Sequence, residues 1–138
     1  MYETILLPLD GSHADRPIIE HVTALASRLG SRVVVLRVVT GPQAQFRGPE
    51  AGGAAVAECA AYLESVRAGF AAAGVRAETA LAYGEPDVEI VKWVERNGCD
   101  LVAMGTHGHR WLSDLFLGFT ASKVQHAVTV PVLLLRSR

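Results

Sequence analysis

The sequence predicts an α/β fold, a five-stranded parallel open sheet with helices on both faces, and three observations carry that prediction. Five short apolar runs are separated by four stretches with helical periodicity. Two of the runs are nearly continuous in apolar residues, as in strands covered on both sides. Turn-forming Gly, Pro, Asp and Asn mark the junctions. Strict alternation of strand and helix calls for parallel pairing, because right-handed crossovers lay the connecting helices against the sheet.

Taken in order, Ile5-Leu6-Leu7-Pro8-Leu9 is a buried strand that exits into Asp10-Gly11-Ser12. Residues 15 to 29 place Ile18, Val22, Leu25, Ala26 and Leu29 on one stripe, with Pro17 tolerated in the first turn and Gly30 as a left-handed stop. Arg32 to Val39 is β-branched and forms the second strand. Residues 40 to 54 have turn composition without a period and read as a mobile loop, a candidate lid. A second helix over about 55 to 73 leads through Gly74 to Val75–Leu81, whose alternation suggests an edge strand. Pro86 opens a third helix, with Val88, Ile90, Val91 and Val94 facing inward and Asn97-Gly98 closing it. The strand Asp100 to Met104, a helix over roughly Ser113 to Val128 and the run Val130 to Leu135 complete the chain.

At 138 residues one domain, 1–138, is expected. Thirteen basic against 14 acidic side chains leave no broad positive field, so sequence-independent nucleic-acid binding is disfavoured. No apolar stretch approaches the roughly 20 residues that cross a bilayer, and the start lacks a secretory signal, so a cytoplasmic protein without a membrane partner is expected. Cys59 and Cys99 form no metal-binding or redox pair, and Cys59 shares a helical face with Tyr62, Leu63, Val66 and Phe70, which reads as core. Trp93 and Trp111 read as packing residues.

In open parallel sheets ligands sit beyond the carboxyl ends of the strands where the strand order reverses. That rule selects the turn with Asp10 and the stretch 104–120, MGTHGHRWLSDLFLGFT. Gly105, Gly108 and Gly118 let the backbone approach a ligand, and bare N–H groups near a helix start suit phosphate without a lysine patch. Turns also need glycine for structural reasons alone, and the glycines by themselves leave both readings open. The spacing is neither GxGxxG after the first strand nor a P-loop. His107 and His109 as metal ligands would need His126 or Asp114 as a third, a weak arrangement. No nucleophile elbow or acid–base carboxylate pair is visible, so any hydrolysis should be slow and an enzyme is not the leading expectation. Asp10 has two readings, as a ligand acceptor and as a helix cap or Asx turn, with Ser12 an equal candidate for the cap.

These residues together resemble the universal stress protein family over nearly the whole length. Its nucleotide-binding members carry Gly, two residues, Gly, nine residues, then Gly and Ser or Thr, and Gly105, Gly108 and Gly118 hold all three glycine positions. Leu7–Ser12, Leu36–Val39, Gly84-Glu85-Pro86 and Val130–Arg136 match as well. The resemblance implies a Rossmann-like sheet of the adenine nucleotide alpha hydrolase kind, with strand order 3-2-1-4-5. It also implies ATP or a related adenosine nucleotide, ADP or AMP, with Mg²⁺ accompanying the triphosphate. Asp10 would take the ribose end beside Pro8 and Leu9, Val38 would meet adenine through its backbone, and Met104 and Gly105 would flank the sugar. Gly108, His109 and Gly118 would offer amides to phosphate, followed by Phe119 and Thr120.

One position departs from that pattern: Phe119 stands where the family usually has Ser or Thr. Losing a hydrogen bond to a charged group removes about 1.5 to 3 kcal/mol, a tenfold or larger weakening, unless Thr120 substitutes. The expectation is therefore a stress-response regulator that binds an adenosine nucleotide and dimerises through its last strand. The alternative is an adaptor or chaperone-like dimer that works by protein contacts without nucleotide.

Overall fold

The computed structural model describes residues 1–40, 53–107 and 120–137. Its elements are β1 (Thr4–Leu9), α1 (Asp15–Leu29), β2 (Arg32–Val39), α2 (Gly53–Ala72), β3 (Ala77–Tyr83), α3 (Pro86–Asn97), β4 (Leu101–His107), a helical stretch 120–127 (α4) and β5 (Val132–Ser137). The five strands pair in parallel, as their alternation with helices predicts, in the order β3-β2-β1-β4-β5 that the family resemblance implies.

Alternate residues of the central strands feed two cores. Ile5, Leu7 and Leu9 of β1 and Val33 and Val35 of β2 pack with Ile18, Val22 and Ala26 of α1 and Leu63, Val66 and Phe70 of α2. On the other face Leu6, Val34, Leu36, Val102 and Met104 meet Ile90 of α3 and Ala121 and Val124 of α4. Both sheet faces are thus covered, which accounts for the continuous apolar composition of β1 and β2. Cys59 is buried on α2 beside Val39, and Trp93 packs on the second core.

Helix ends follow backbone chemistry. Gly30 ends α1 in the left-handed region at φ 69°, and its N–H bonds to the Ala26 carbonyl. At the end of α2, Gly74 takes φ 78°, its N–H donates to Ala71, and the Val75 N–H donates to Phe70. These paired bonds form a Schellman motif, with Val75 buried against Phe70 as its apolar contact. Val75 therefore serves the helix end, and β3 begins at Ala77, two residues later than the apolar pattern suggests.

Three further expectations are corrected. Val88 is 44% exposed, so the inward face of α3 is carried by Ile90 with Val91, Trp93 and Val94. β4 runs on through Gly105, Thr106 and His107, because these residues pair with Leu135, Arg136 and Ser137 of β5. β5 itself starts at Val132 rather than Val130, since Pro131 has no N–H to donate and contributes only its carbonyl, which accepts the Val102 N–H. Of the proposed loop, residues 41–52 lie outside the described residues, as does 113–119 of the last helix.

Asp100 fastens the start of β4 to β1: its carboxylate accepts N–H bonds from Glu3 at 2.8 Å and Thr4 at 3.0 Å. Burial pushes this carboxyl up, but the backbone N–H bonds outweigh burial and leave it below the usual carboxylate range. A depressed folded-state value means stability that is present at neutral pH and is lost as acid protonates the group.

Candidate functional site

The register shows where the sheet opens. β1 pairs with β2 over six residue pairs but with β4 only at Ile5–Leu101 and Leu6–Val102. Beyond Leu6 the two strands separate, at the point where chain order reverses between β1 and β4. This is the crevice that doubly wound sheets use for ligands.

A cavity of about 100 Å³ lies at the carboxyl ends of β1 and β2. Its walls are Pro8, Leu9 and Asp10 from β1 and its exit, Leu36 to Val38 and Thr40 from β2, Pro86 and Ile90 from α3, and Thr120 at the start of α4. The surface is mostly aliphatic, with a carboxylate, a guanidinium and two hydroxyls at its edge. Such a hollow suits a flat apolar ring attached to a polyol, with Asp10 as acceptor for hydroxyls.

Of the residues expected from the sequence, Pro8, Leu9, Asp10, Val38 and Thr120 are brought together around this cavity. Met104 is buried in the second core, 1% exposed, and is not among the lining residues. Gly105 is a β4 residue facing α1: a Cβ there would stand 2.7 Å from the Ala14 carbonyl oxygen and 3.3 Å from Ile18 Cγ2. Its missing side chain is what lets α1 approach the sheet, a packing role that the loop reading did not contain. Gly108, His109, Gly118 and Phe119 lie outside the described residues, as do Trp111 and Asp114. Among the described residues no three His, Cys, Asp or Glu side chains gather to hold a metal ion.

The turn after β1 is built from local hydrogen bonds. Asp10 Oδ1 accepts the Ser12 N–H at 2.9 Å, the Asx turn foreseen as one of its two readings. The other carboxylate oxygen is unassigned by that turn, so the Asx role and a ligand role are compatible. Gly11 takes φ 80°, the left-handed region that favours glycine. Ser12 Oγ accepts the Ala14 N–H at 3.3 Å, and the Ser12 carbonyl accepts the Asp15 N–H.

The centre of this network is a residue that sequence reasoning missed. Asp15, 4% exposed at the first position of α1, accepts the Asp10 N–H on Oδ1 at 3.2 Å, the Gly11 N–H on Oδ2 at 2.7 Å, and the Tyr62 hydroxyl on Oδ2 at 2.6 Å. Burial pushes the Asp15 carboxyl up to about 6; the Tyr62 hydroxyl and the two N–H bonds oppose this, and the nearby Asp10 charge adds to it. Burial and the same carboxylate raise the Tyr62 phenol. Arg37 lies over the Tyr62 ring, 5.5 Å from its centroid, so α2 and β2 both brace the pair. The available signal was an acidic residue in a first helical turn, which ordinarily reads as a favourable dipole contact. Nothing local indicated that Tyr62, 47 positions on, would close over it.

A doubly wound α/β domain with a small, mostly aliphatic hollow at its switch point is the class that this geometry defines. The chain belongs to the universal stress protein family, whose profile matches residues 1–136. A universal stress protein of Thermus aquaticus, encoded in a sulfhydrylase 3′ region, is 33% identical over 138 residues, covering 99% of this chain and 100% of that protein. The match to universal stress protein YxiE of Bacillus subtilis is 38% over 74 residues, and it spans 54% of this chain and half of that relative. The structure of MJ0577 superposes with a TM-score of 0.85 at 26% identity, covering 100% of this chain and 98% of that one. A universal stress protein solved in complex with cAMP shares the fold at TM-score 0.76 and 19% identity, over 98% of this chain and 97% of the other. One from Archaeoglobus fulgidus in complex with dAMP does so at 0.71 and 18%, over 96% and 97%. No helix among the described residues is long and apolar enough to cross a membrane.

Proposed function

We propose that this universal stress protein binds an adenosine nucleotide in the cavity at the ends of β1 and β2 and acts as a regulator rather than through rapid turnover. The observation that carries the reading is the convergence of Pro8, Leu9, Asp10, Val38 and Thr120, from three separate stretches of sequence, on one hollow at the switch point. Complexes of two fold relatives with cAMP and dAMP support the ligand class. The Val38 backbone and the aliphatic walls would hold the base, Asp10 the ribose hydroxyls, and Thr120 with the amides of Gly108, His109 and Gly118 the phosphate. With ATP, Mg²⁺ would ride on the ligand's own phosphates. The cytoplasm is the compartment where such a nucleotide is met.

Calorimetry on nucleotide-free protein with ATP, ADP and AMP tests this. Saturable heat is expected, and Asp10→Ala should weaken it about tenfold or more, the effect of removing a charge-assisted hydrogen-bond acceptor. Absence of heat with all three nucleotides would favour the nucleotide-independent adaptor.

The assembly reading rests on β5. It is an edge strand whose Leu134 is 43% exposed and whose Val132, Leu133 and Leu135 are only partly covered. An apolar edge with open backbone groups invites a second copy, and β5-to-β5 pairing makes a two-fold dimer. Light scattering at micromolar concentration should give twice the 14.7 kDa chain mass, and Leu134→Lys should return it to the monomer value.

A further inference from the structure

We infer that Asp15, clamped by Tyr62, is the positioning residue that holds the Asp10–Gly11 turn in its ligand-binding shape and makes nucleoside affinity depend on pH. This rests on the nucleotide reading above and adds to it a control point 15 residues into the chain, outside the cavity lining.

The geometry carries the claim. Three donors converge on one buried carboxylate: two are the consecutive amides of the turn that aims Asp10, and the third belongs to another helix. An extended or ordinary turn at 10–11 would point those amides to water; here both are drawn inward to Asp15, which fixes Gly11 in the left-handed region. A Cβ on Gly11 would lie 2.9 Å from the Arg37 guanidinium, and α1 is pressed on β4 at Gly105. Asp15 thus transmits the position of α2 to Asp10 through a single side chain.

Among the described residues, the charged and titratable groups about Asp15 come from its own turn, α2 and β2. Asp10 lies on its own turn, Tyr62 on α2, and Arg37 on β2 across the Tyr62 ring, while β4 presents Gly105 without a side chain. His13 and Arg16 flank it in sequence and are exposed. Ionised Asp15 gives both amides charge-assisted bonds, which are roughly twice as strong as neutral ones. Protonated Asp15 cannot, because one oxygen becomes a donor. With the carboxyl titrating near 6, the change falls where cellular acidification would operate. The effect on global stability has the opposite sign. A raised folded-state value contributes stability that is complete below the ordinary carboxylate pKa and lost as pH rises through about 6, so acid loosens the turn without unfolding the chain.

The test uses adenosine, which carries no phosphate to titrate, with wild type, Tyr62→Phe and Asp15→Asn between pH 5 and 8. Amide exchange of Asp10 and Gly11 is followed by NMR on the same ligand-free samples. Wild-type affinity should fall roughly five- to tenfold on going from pH 7.5 to 5, with faster exchange of the Gly11 amide. Tyr62→Phe removes a donor that favours the ionised form, so its midpoint should move to higher pH. That shift would not arise from His13 or from a merely structural Asp15. Asp15→Asn retains one acceptor, and its affinity should be low and level across the range. Saturable adenosine binding with the same pH profile in all three proteins would overturn the inference and leave the nucleotide reading standing. Absence of adenosine binding by wild type at pH 7.5 would overturn both.

Discussion

Gly105→Ala is expected to lower the stability of the protein by about 1 to 3 kcal/mol, the range for forcing an extra methyl into a packed interior. The added Cβ would meet the Ala14 carbonyl oxygen at 2.7 Å, a separation that real Cβ atoms do not adopt. The obstacle is backbone, not the end of a flexible side chain, so the first turn of α1 must withdraw from β4. Replacing glycine by alanine within a strand recovers only roughly 0.5 to 1 kcal/mol of chain entropy, which is too little to offset the clash. Against a total stability of about 5 to 15 kcal/mol the loss is large. Urea unfolding should show a lower midpoint with an unchanged slope. If Gly105 were glycine only to admit a ligand, the midpoint would stay at the wild-type value and binding alone would suffer. Because Asp15 follows directly on Ala14, nucleotide affinity should fall together with stability.

The same residue shows what a sequence can and cannot disclose. Gly105 is recognisable as one of three spaced glycines, but whether it spares room for a phosphate or for a helix is decided by α1, ninety residues earlier. The regular parts were legible wherever a period and a stop signal agreed: α1 runs from Asp15 to Leu29 and β2 from Arg32 to Val39 as read, because Gly30 ends the one and β-branched residues fill the other. They were less legible where an apolar residue serves a junction. Val75 looks like the first residue of a strand and is the apolar contact of a helix end, while Val130 precedes a proline that cannot donate to the ladder. Around the candidate cavity, the lining residues of contiguous motifs, Pro8 to Asp10 and Val38, were accessible from the sequence. Pro86, Ile90, Thr40 and the Asp15–Tyr62 pair were not, since only the crossover geometry brings three helices and two strands to one corner.

Phe70→Ala is expected to be the most damaging of the single substitutions considered, at about 3 to 5 kcal/mol. Phe70 is 1% exposed, is among the largest fully buried side chains, and packs with Leu63, Val66, Val75 and the inner residues of β1 and β2. Its carbonyl also accepts the Val75 N–H that ends α2, so the ring and the helix stop are placed by one residue. Truncation leaves a void between a helix and a central sheet, neither of which can close over it without disturbing the strand register. For a chain of this length the melting temperature should drop by roughly 10 °C or more, and Phe70→Leu, which keeps most of the volume, should lose well under half as much. The effect on the proposed ligand site should differ from that of Gly105→Ala. Phe70 lies eight residues beyond Tyr62, about 12 Å along α2 and towards the amino ends of the strands. At a temperature where Phe70→Ala remains folded, nucleotide affinity should therefore match wild type, whereas that of Gly105→Ala should be reduced. Equal losses of affinity in the two variants, compared at equal fraction folded, would show that the site responds to overall core integrity and not to the seat of α1 on β4.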